Sequence, residues 1–180
     1  MRIFTVIRDV AITSVVPSRS WVFPGIPLNI TVTAKNVGET TESFDVEAYY
    51  NGNLIGTSAV VDLAPDSEIS VIFEWNTSNL ASCTNYTITG KATIIPYEFN
   101  TSDNVLVDGT VESRLLGDLS GDGKVDMKDI AIAAKAFGSY PGHPRWNPDA
   151  DVTGLEYLVP DNRVDMRDIA VISQNFGRTC

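Results

Sequence analysis

The sequence predicts a mainly β protein that ends in a small helical module, and three observations carry that expectation. Between about Val10 and Val111, apolar and polar residues alternate in short runs separated by turn residues, the period of strands with one buried face. Asn51-Gly52 separates two such runs, and this dipeptide is the strongest short signal for a type I′ hairpin turn. After Gly117 the period changes to helical, and a motif occurs twice: Val125-Asp126-Met127-Lys128-Asp129-Ile130-Ala131 returns as Val164-Asp165-Met166-Arg167-Asp168-Ile169-Ala170.

Taken in chain order, the first strand is expected over Val10 to Val16. In the next, Leu28, Ile30, Val32 and Ala34 alternate with Asn29, Thr31, Thr33 and Lys35. Phe44 to Tyr50 and Leu54 to Val61 flank the hairpin turn. Ile69, Val71, Phe73 and Trp75 alternate in the same way, as do Tyr86, Ile88, Gly90 and Ala92, and Val105 to Val111 closes the set. About seven strands of this size suit an immunoglobulin-like sandwich, whose two sheets bury their apolar faces against each other. The pattern changes near Arg114 to Gly117, which divides the chain into a sandwich over residues 1–116 and a helical module over 117–180. The apolar segment Met1 to Ile7 has no place in the seven-strand count. In the module, Ile130, Ala133, Ala134 and Phe137, and then Ile169, Ile172, Ser173 and Phe176, define one face of each short helix, with Gly138 and Gly177 at the C-caps. The junction residues Leu115 and Leu116 are too apolar for a free linker and are expected to be buried.

Each predicted helix follows a loop rich in carboxylates. From Asp118 to Asp129, oxygen-bearing side chains fall at positions 1, 3, 5, 9 and 12 (Asp118, Ser120, Asp122, Asp126, Asp129), with Gly123 at position 6. Lys124 at position 7 would offer its backbone carbonyl. This spacing gives a calcium ion the six to eight oxygens it requires, and the glycine permits the sharp turn around it. Counting back from Asp168 places Asp165 at 9, Arg163 at 7, Asn162 at 6 and Asp161 at 5. The register then breaks, and Asp149 and Asp151 stand upstream with the spacing of positions 1 and 3. That assignment loops out eight extra residues between Asp151 and Asp161. The alternative is a degenerate, metal-free second loop. With both loops filled, the chain would hold two calcium ions.

Residues 117–180 resemble the dockerin module, in which two calcium loops are each followed by a helix. The carriers of the resemblance are Gly117-Asp118-Leu119-Ser120-Gly121-Asp122-Gly123-Lys124-Val125-Asp126 and the repeat. The departures are the insertion in loop two and Asn162 in place of the turn glycine, a residue that tolerates a left-handed backbone. The resemblance implies a sandwich-fold protein partner, cohesin, met by loop positions 10 and 11, here Met127 with Lys128 and Met166 with Arg167. Near identity of the two pairs implies a pseudo-twofold surface. The sequence leaves the partner open between a cohesin, another copy of the chain and the chain's own first domain.

Most of residues 8–112 resemble the CARDB type of adhesion-related sandwich. The phrases that match are Asp9-Val10-Ala11-Ile12-Thr13-Ser14-Val15-Val16-Pro17, Leu28-Asn29-Ile30-Thr31-Val32-Thr33-Ala34-Lys35-Asn36-Val37-Gly38, and Phe73-Glu74-Trp75-Asn76-Thr77. With a dockerin-like tail the combination looks archaeal, and the resemblance implies a surface or secreted setting.

Other features bear on location. Glycosylation sequons occur at Asn29, Asn76, Asn85 and Asn100, all in the sandwich. Cys83 and Cys180 are the two cysteines, either bridged or two unrelated thiols. No segment is long enough to span a membrane, and Ile3 to Ile7 is too short for a signal-peptide core, so the chain is expected to be a processed or excised piece. A net charge of −10 opposes nucleic-acid binding.

No nucleophile elbow, phosphate loop or paired-histidine motif is present, so no catalytic residue is assigned. The lone histidine, His143, reads as a solvated turn residue. Trp21, Phe23, Trp75 and Trp146 would suit a sugar platform, although core packing is the commoner fate of such rings. The sequence therefore points to a non-enzymatic extracellular adhesion or assembly module in which calcium orders a protein-recognition surface. The alternatives are a self-assembling subunit of an archaeal surface layer or filament, and, behind that, a carbohydrate-binding or enzyme-accessory module.

Overall fold

The computed structural model describes residues 6–180, so most of the segment Met1 to Ile7 lies outside the described residues. Eight strands and two α-helices follow in order: β1 (Val10–Pro17), β2 (Trp21–Val22), β3 (Leu28–Asn36), β4 (Glu42–Tyr50), β5 (Asn53–Leu63), β6 (Glu68–Trp75), β7 (Thr84–Ala92), β8 (Val105–Ser113), α1 (Met127–Ala136) and α2 (Met166–Gln174). The strands form a three-stranded sheet, β1-β3-β6, and a five-stranded sheet, β2-β8-β7-β4-β5. The extra strand beyond the expected seven, β2, is two residues long and shows no alternation.

The described residues fall into two compact units. The first takes the residues up to Ser20, Leu28–Trp75 and Asn85–Val111; the second takes Trp21–Pro27, Asn76–Thr84 and Glu112–Cys180. The second unit is thus assembled from three separated segments, where the sequence suggested a single cut after residue 116.

In the first unit the alternation sets the core. Leu28, Ile30, Val32 and Ala34 of β3 are buried while Asn29 is exposed. Along β6 the expected face is buried at Phe73 and Trp75 but fades toward Ile69. β3 pairs antiparallel with β1 and with β6, in a register that sets Leu28 opposite Trp75 and Ala34 opposite Ile69. Asn51 and Gly52 both take positive φ (44° and 79°), as the hairpin between β4 and β5 requires. A Cβ on Gly90 of β7 would lie 2.7 Å from Val15 and 2.8 Å from Val32 of the other sheet, so the two faces approach too closely for a larger residue. Trp75 is buried against Tyr50 and Tyr86, with ring centroids 4.8 and 5.9 Å away. Arg8 holds buried Glu42 through two hydrogen bonds of 2.8 and 2.5 Å, and this pairing keeps the Glu42 carboxyl below its usual range against the opposing effect of burial.

The second unit packs both helices around Val125, Ala133, Ala136, Val164, Val171 and Ile172, with Phe23 and Leu115 in the same core and Leu116, Ile26, Trp21 and Trp146 against it. The expected helix faces are partly corrected. Ile130, Ala133 and Ala136 face inward in α1, and Ile169, Val171 and Ile172 in α2, while Ala134 and Ser173 are exposed. Phe137 and Phe176 are 41% and 53% exposed, because each helix ends before its phenylalanine reaches the core. Gly138 and Gly177 take positive φ at those ends. The aromatic residues considered for a sugar platform are otherwise engaged: Phe23 and Trp75 are buried, Arg114 stacks 4.5 Å over the Trp21 ring, and Trp146 packs on the core.

Candidate metal centre

Loop one is wound around two buried carboxylates. Asp118 Oδ1 accepts from Gly121 N (2.8 Å) and Asp122 N (3.2 Å), and its Oδ2 accepts from Gly123 N (2.9 Å). Asp129 Oδ1 accepts from Ser120 N (2.8 Å) and Oδ2 from Asp126 N (2.8 Å). These N–H groups converge on carboxylates that would otherwise repel each other, and Gly123, at φ 79°, supplies the turn. Asp126 is also the N-cap of α1 and Asp129 its third residue, joined as a capping box. Loop position 9 and helix start are therefore one residue, so ordering the loop orders the first turn.

Loop two repeats this wiring, but in a register two residues later than expected. Asp168 Oδ1 accepts from Val152 N (2.8 Å) and Thr153 N (3.0 Å), and Oδ2 from Asp165 N (2.7 Å). Asp151 accepts from Asp161 N (3.2 Å) and Asn162 N (2.8 Å). Thr153 thus bonds Asp168 as Ser120 bonds Asp129, and Asp151 holds the turn as Asp118 does. By their hydrogen bonds Asp151 stands where Asp118 does and Thr153 where Ser120 does, while Asp149, expected at position 1, lies in a 3-10 turn over Pro148–Ala150, its N–H bonded to Asn147. The signal missed in the sequence is the pair Asp118-Leu119-Ser120-Gly121 and Asp151-Val152-Thr153-Gly154. Asn162 takes φ 64° in the place of Gly123, as expected, and Asp165 with Asp168 forms the capping box of α2.

The insertion follows Thr153, whose hydroxyl donates to Glu156 O (3.1 Å) and accepts from Leu158 N (3.1 Å). Leu158 turns inward onto the core, whereas Leu155, Tyr157 and Val159 are exposed. The Thr153 oxygen is thereby partly spent on closing the excursion.

The two loops are cross-linked through position 8. Val125 N donates to Arg178 O (2.9 Å) and Val125 O accepts from Gly177 N (2.8 Å); Val164 N donates to Ser139 O (3.1 Å) and Val164 O accepts from Gly138 N (2.8 Å). Each loop is pinned to the end of the other loop's helix. Lys124 pairs with Thr179 beyond this point, and Cys180, whose N–H reaches Gly123 O (2.8 Å), is bridged to Cys83. Both cysteines belong to the second unit, so the bridge is internal to it.

Electrostatically the loops are strained by like charge and relieved by neighbouring bases. Burial pushes Asp151 up to about 6, and burial also raises Asp168. Lys128 Nζ lies 2.8 Å from Asp122 and holds its carboxyl below the usual range; Arg167 does the same for Asp165 at 2.6 Å and also meets Asp161 at 3.2 Å. With Asp122, Asp161 and Asp165 drawn to these bases, no three acidic, histidine or cysteine side chains among the described residues converge on a common metal position. The donor set nevertheless fits a hard cation: carboxylates at positions 1, 5, 9 and 12 of each loop, and the exposed Lys124 and Arg163 at position 7, where only a backbone oxygen is required.

Met127 and Met166 are 66% and 64% exposed, beside Lys128 and Arg167. Among the sequons, Asn29, Asn76 and Asn85 are exposed and Asn100 is half-buried, while Thr77 of the second is buried and donates to Ile26 O (2.7 Å). His143 accepts from Arg145 N in its turn (3.1 Å). No described helix is long and apolar enough to cross a membrane.

Comparison with known proteins bears on the sandwich. The crystal structure of the CARDB domain of a Pyrococcus furiosus protein, in complex with di-metal ions, is 23% identical, covers 63% of this chain and 99% of that one, and superposes with a TM-score of 0.52. A solution structure of that domain gives 23% identity, 62% and 99% coverage and a TM-score of 0.51. A domain of a Methanosarcina acetivorans protein named for the cell surface is 26% identical over 59% of this chain and 92% of that one, with a TM-score of 0.48. No curated protein matches the sequence. The shared sandwich fold coincides with the strands described above, and since the CARDB family matches residues 8–108, more than half of the sequence, the chain belongs to that family.

Proposed function

We propose that the chain is a non-enzymatic extracellular module that uses calcium, one ion in each loop, to order a protein-recognition surface in the manner of dockerins. The observation that carries this reading is the reciprocal pinning of Val125 and Val164 to the opposite helix ends, around carboxylates already wrapped by N–H donors. In the first loop the ion would be held by Asp118, Ser120, Asp122, Asp126 and Asp129 with the Lys124 carbonyl. In the second it would be held by Asp151, Thr153, Asp161, Asp165 and Asp168 with the Arg163 carbonyl. Bound calcium supplies charge that offsets these clustered carboxylates. Lys128 and Arg167 then lose their hold on Asp122, Asp161 and Asp165, and stand with Met127 and Met166 as two apolar-basic pairs facing a partner. That partner is a cohesin-like sandwich or a second copy. The disulfide and the cell-surface name of one relative support an extracellular setting.

Titrating chelator-treated protein with calcium while following the Gly123 and Asn162 amide signals tests the loops. Saturable shifts at both are expected; shifts at neither would overturn the reading. Self-assembly stays as a second reading because the edge strands β5 and β6 carry exposed Val61 and Ile72. Sedimentation with and without calcium separates the two: calcium-independent association would favour it.

A further inference from the structure

Between the last turns of α1 and the turn that follows it, the second unit carries a cleft of about 320 Å3, at the small end of the range for small-molecule sites. Ile132, Ala136 and Trp146 give it an apolar lining, and Lys135, Arg145 and Asn147 a polar one. His143 builds the turn: Arg145 N donates to His143 Nδ1 (3.1 Å) and Trp146 N to His143 O (2.8 Å). A cation and an indole from consecutive positions are thereby set beside the helix that carries Lys135. Trp146 packs on the core yet stays half-buried, so its indole also lines the cleft.

Charge singles this cleft out. Residues 130–148 contain Lys135 and Arg145 and no Asp or Glu, in a chain whose net charge is −10. Arg8, Lys91, Arg114, Lys128 and Arg167 each meet a carboxylate, whereas Lys135 and Arg145 meet none among the described residues. The hydrogen-bonding groups are one-sided as well. Asn147 Oδ1 accepts from Asp149 N (3.1 Å), which leaves Nδ2 as the donor of that amide. The side chains of the cleft therefore offer N–H donors and no uncommitted acceptor. Such a surface suits a ligand rich in acceptor oxygens and opposes a peptide, whose own N–H groups would go unpaired.

We propose that this cleft binds an acidic sugar. The carboxylate of a uronate ring is held by Arg145 and Lys135, its C–H face packs on Trp146, and a ring or hydroxyl oxygen accepts from Asn147. The guanidinium fork matches a carboxylate, and an indole gives the sugar's apolar face a wall that water does not. The site asks only for the fold of the second unit and does not rest on what fills the two loops.

The test titrates the whole chain, with calcium in excess, with sodium glucuronate to about 20 mM, since so small a ligand is expected to bind at about 1 mM. The Trp146 indole N–H and the Asn147 side-chain amide are followed by NMR. Saturable shifts of both are expected; unmoved signals overturn the site. Glucose, acetate and a triaspartate peptide run in parallel. Glucose binding as well as glucuronate would remove the role of the cations, acetate doing so would reduce the cleft to an unspecific anion site, and tighter binding of the peptide would assign it to acidic protein; each refutes the proposal. The Lys135→Gln/Arg145→Gln variant, altered at two exposed side chains, should bind glucuronate at least tenfold more weakly with the Ile172 amide unchanged. Retained affinity in that variant refutes the proposal too, and the wild-type comparison of ligands decides it even where the variant folds poorly.

Discussion

Replacing Cys83 and Cys180 by serine should weaken the second unit more than any single core truncation there. The bridge joins residues separated by 97 positions, and releasing a loop of that length returns conformational freedom to the unfolded chain worth about 4 to 5 kcal/mol at 25 °C. The folded state loses something as well, since the terminus that the bridge anchors lies against loop one. Cys180 and Arg178 are hydrogen-bonded to Gly123 and Val125, and Thr179 pairs with Lys124. Protection should therefore fall first at Val125 and only later at Val164, which is pinned to the end of α1 instead. Hydrogen exchange in calcium-saturated protein, comparing oxidised wild type with Cys83→Ser/Cys180→Ser, reads both the global loss at Ile172 and the local order. A drop below about 1 kcal/mol at Ile172, or equal loss at Val125 and Val164, would refute the reasoning.

The loop-two register predicts that Asp151→Ala abolishes the Asn162 calcium shift while Asp149→Ala leaves it, as read in the same titration. Gly90→Ala should cost about 1 to 3 kcal/mol in urea unfolding of the sandwich, because the added methyl meets Val15 and Val32 of the facing sheet. Glu42 is held below its usual range by Arg8, so the stability it contributes is fully present above the ordinary carboxylate pKa and is lost as pH falls through the depressed folded value. The difference between wild type and Glu42→Gln in thermal melts should accordingly shrink as pH drops below about 4; a gap that widens would contradict the ion pair.

Much of the sandwich was legible because burial there has a period of two. β3 and β7 show their faces in the letters alone, and Asn51-Gly52 announces its turn by the backbone signs it tolerates. The turn of loop one was legible because the carboxylates that close it are contiguous in sequence. The matching turn of loop two was not, since the insertion separates Thr153 from Asp161, and Asp149 and Asp151 imitate the spacing of Asp118 and Ser120, whereas in the structure Val152 and Thr153 donate to Asp168. Phe137 and Phe176 kept the helical period in sequence but lie past the last helical residue. Nothing local marks Trp21–Pro27 or Asn76–Thr84 as part of the second unit, because that membership depends on contacts with residues far along the chain.

The three-segment make-up of the second unit has a consequence for how the chain is born. Phe23 and Ile26 leave the ribosome about 150 residues ahead of Ile172, with which they share a core, so that core is dominated by long-range contacts and cannot close until the segment carrying Ile172 has been made. Nascent chains that stop before Glu112 have the apolar patch of Trp21 to Ile26 but none of the helices that cover it. Slow elongation, early termination or cleavage ahead of the helices should all yield the same adhesive intermediate, which holdase chaperones would recognise where they would pass over the folded unit.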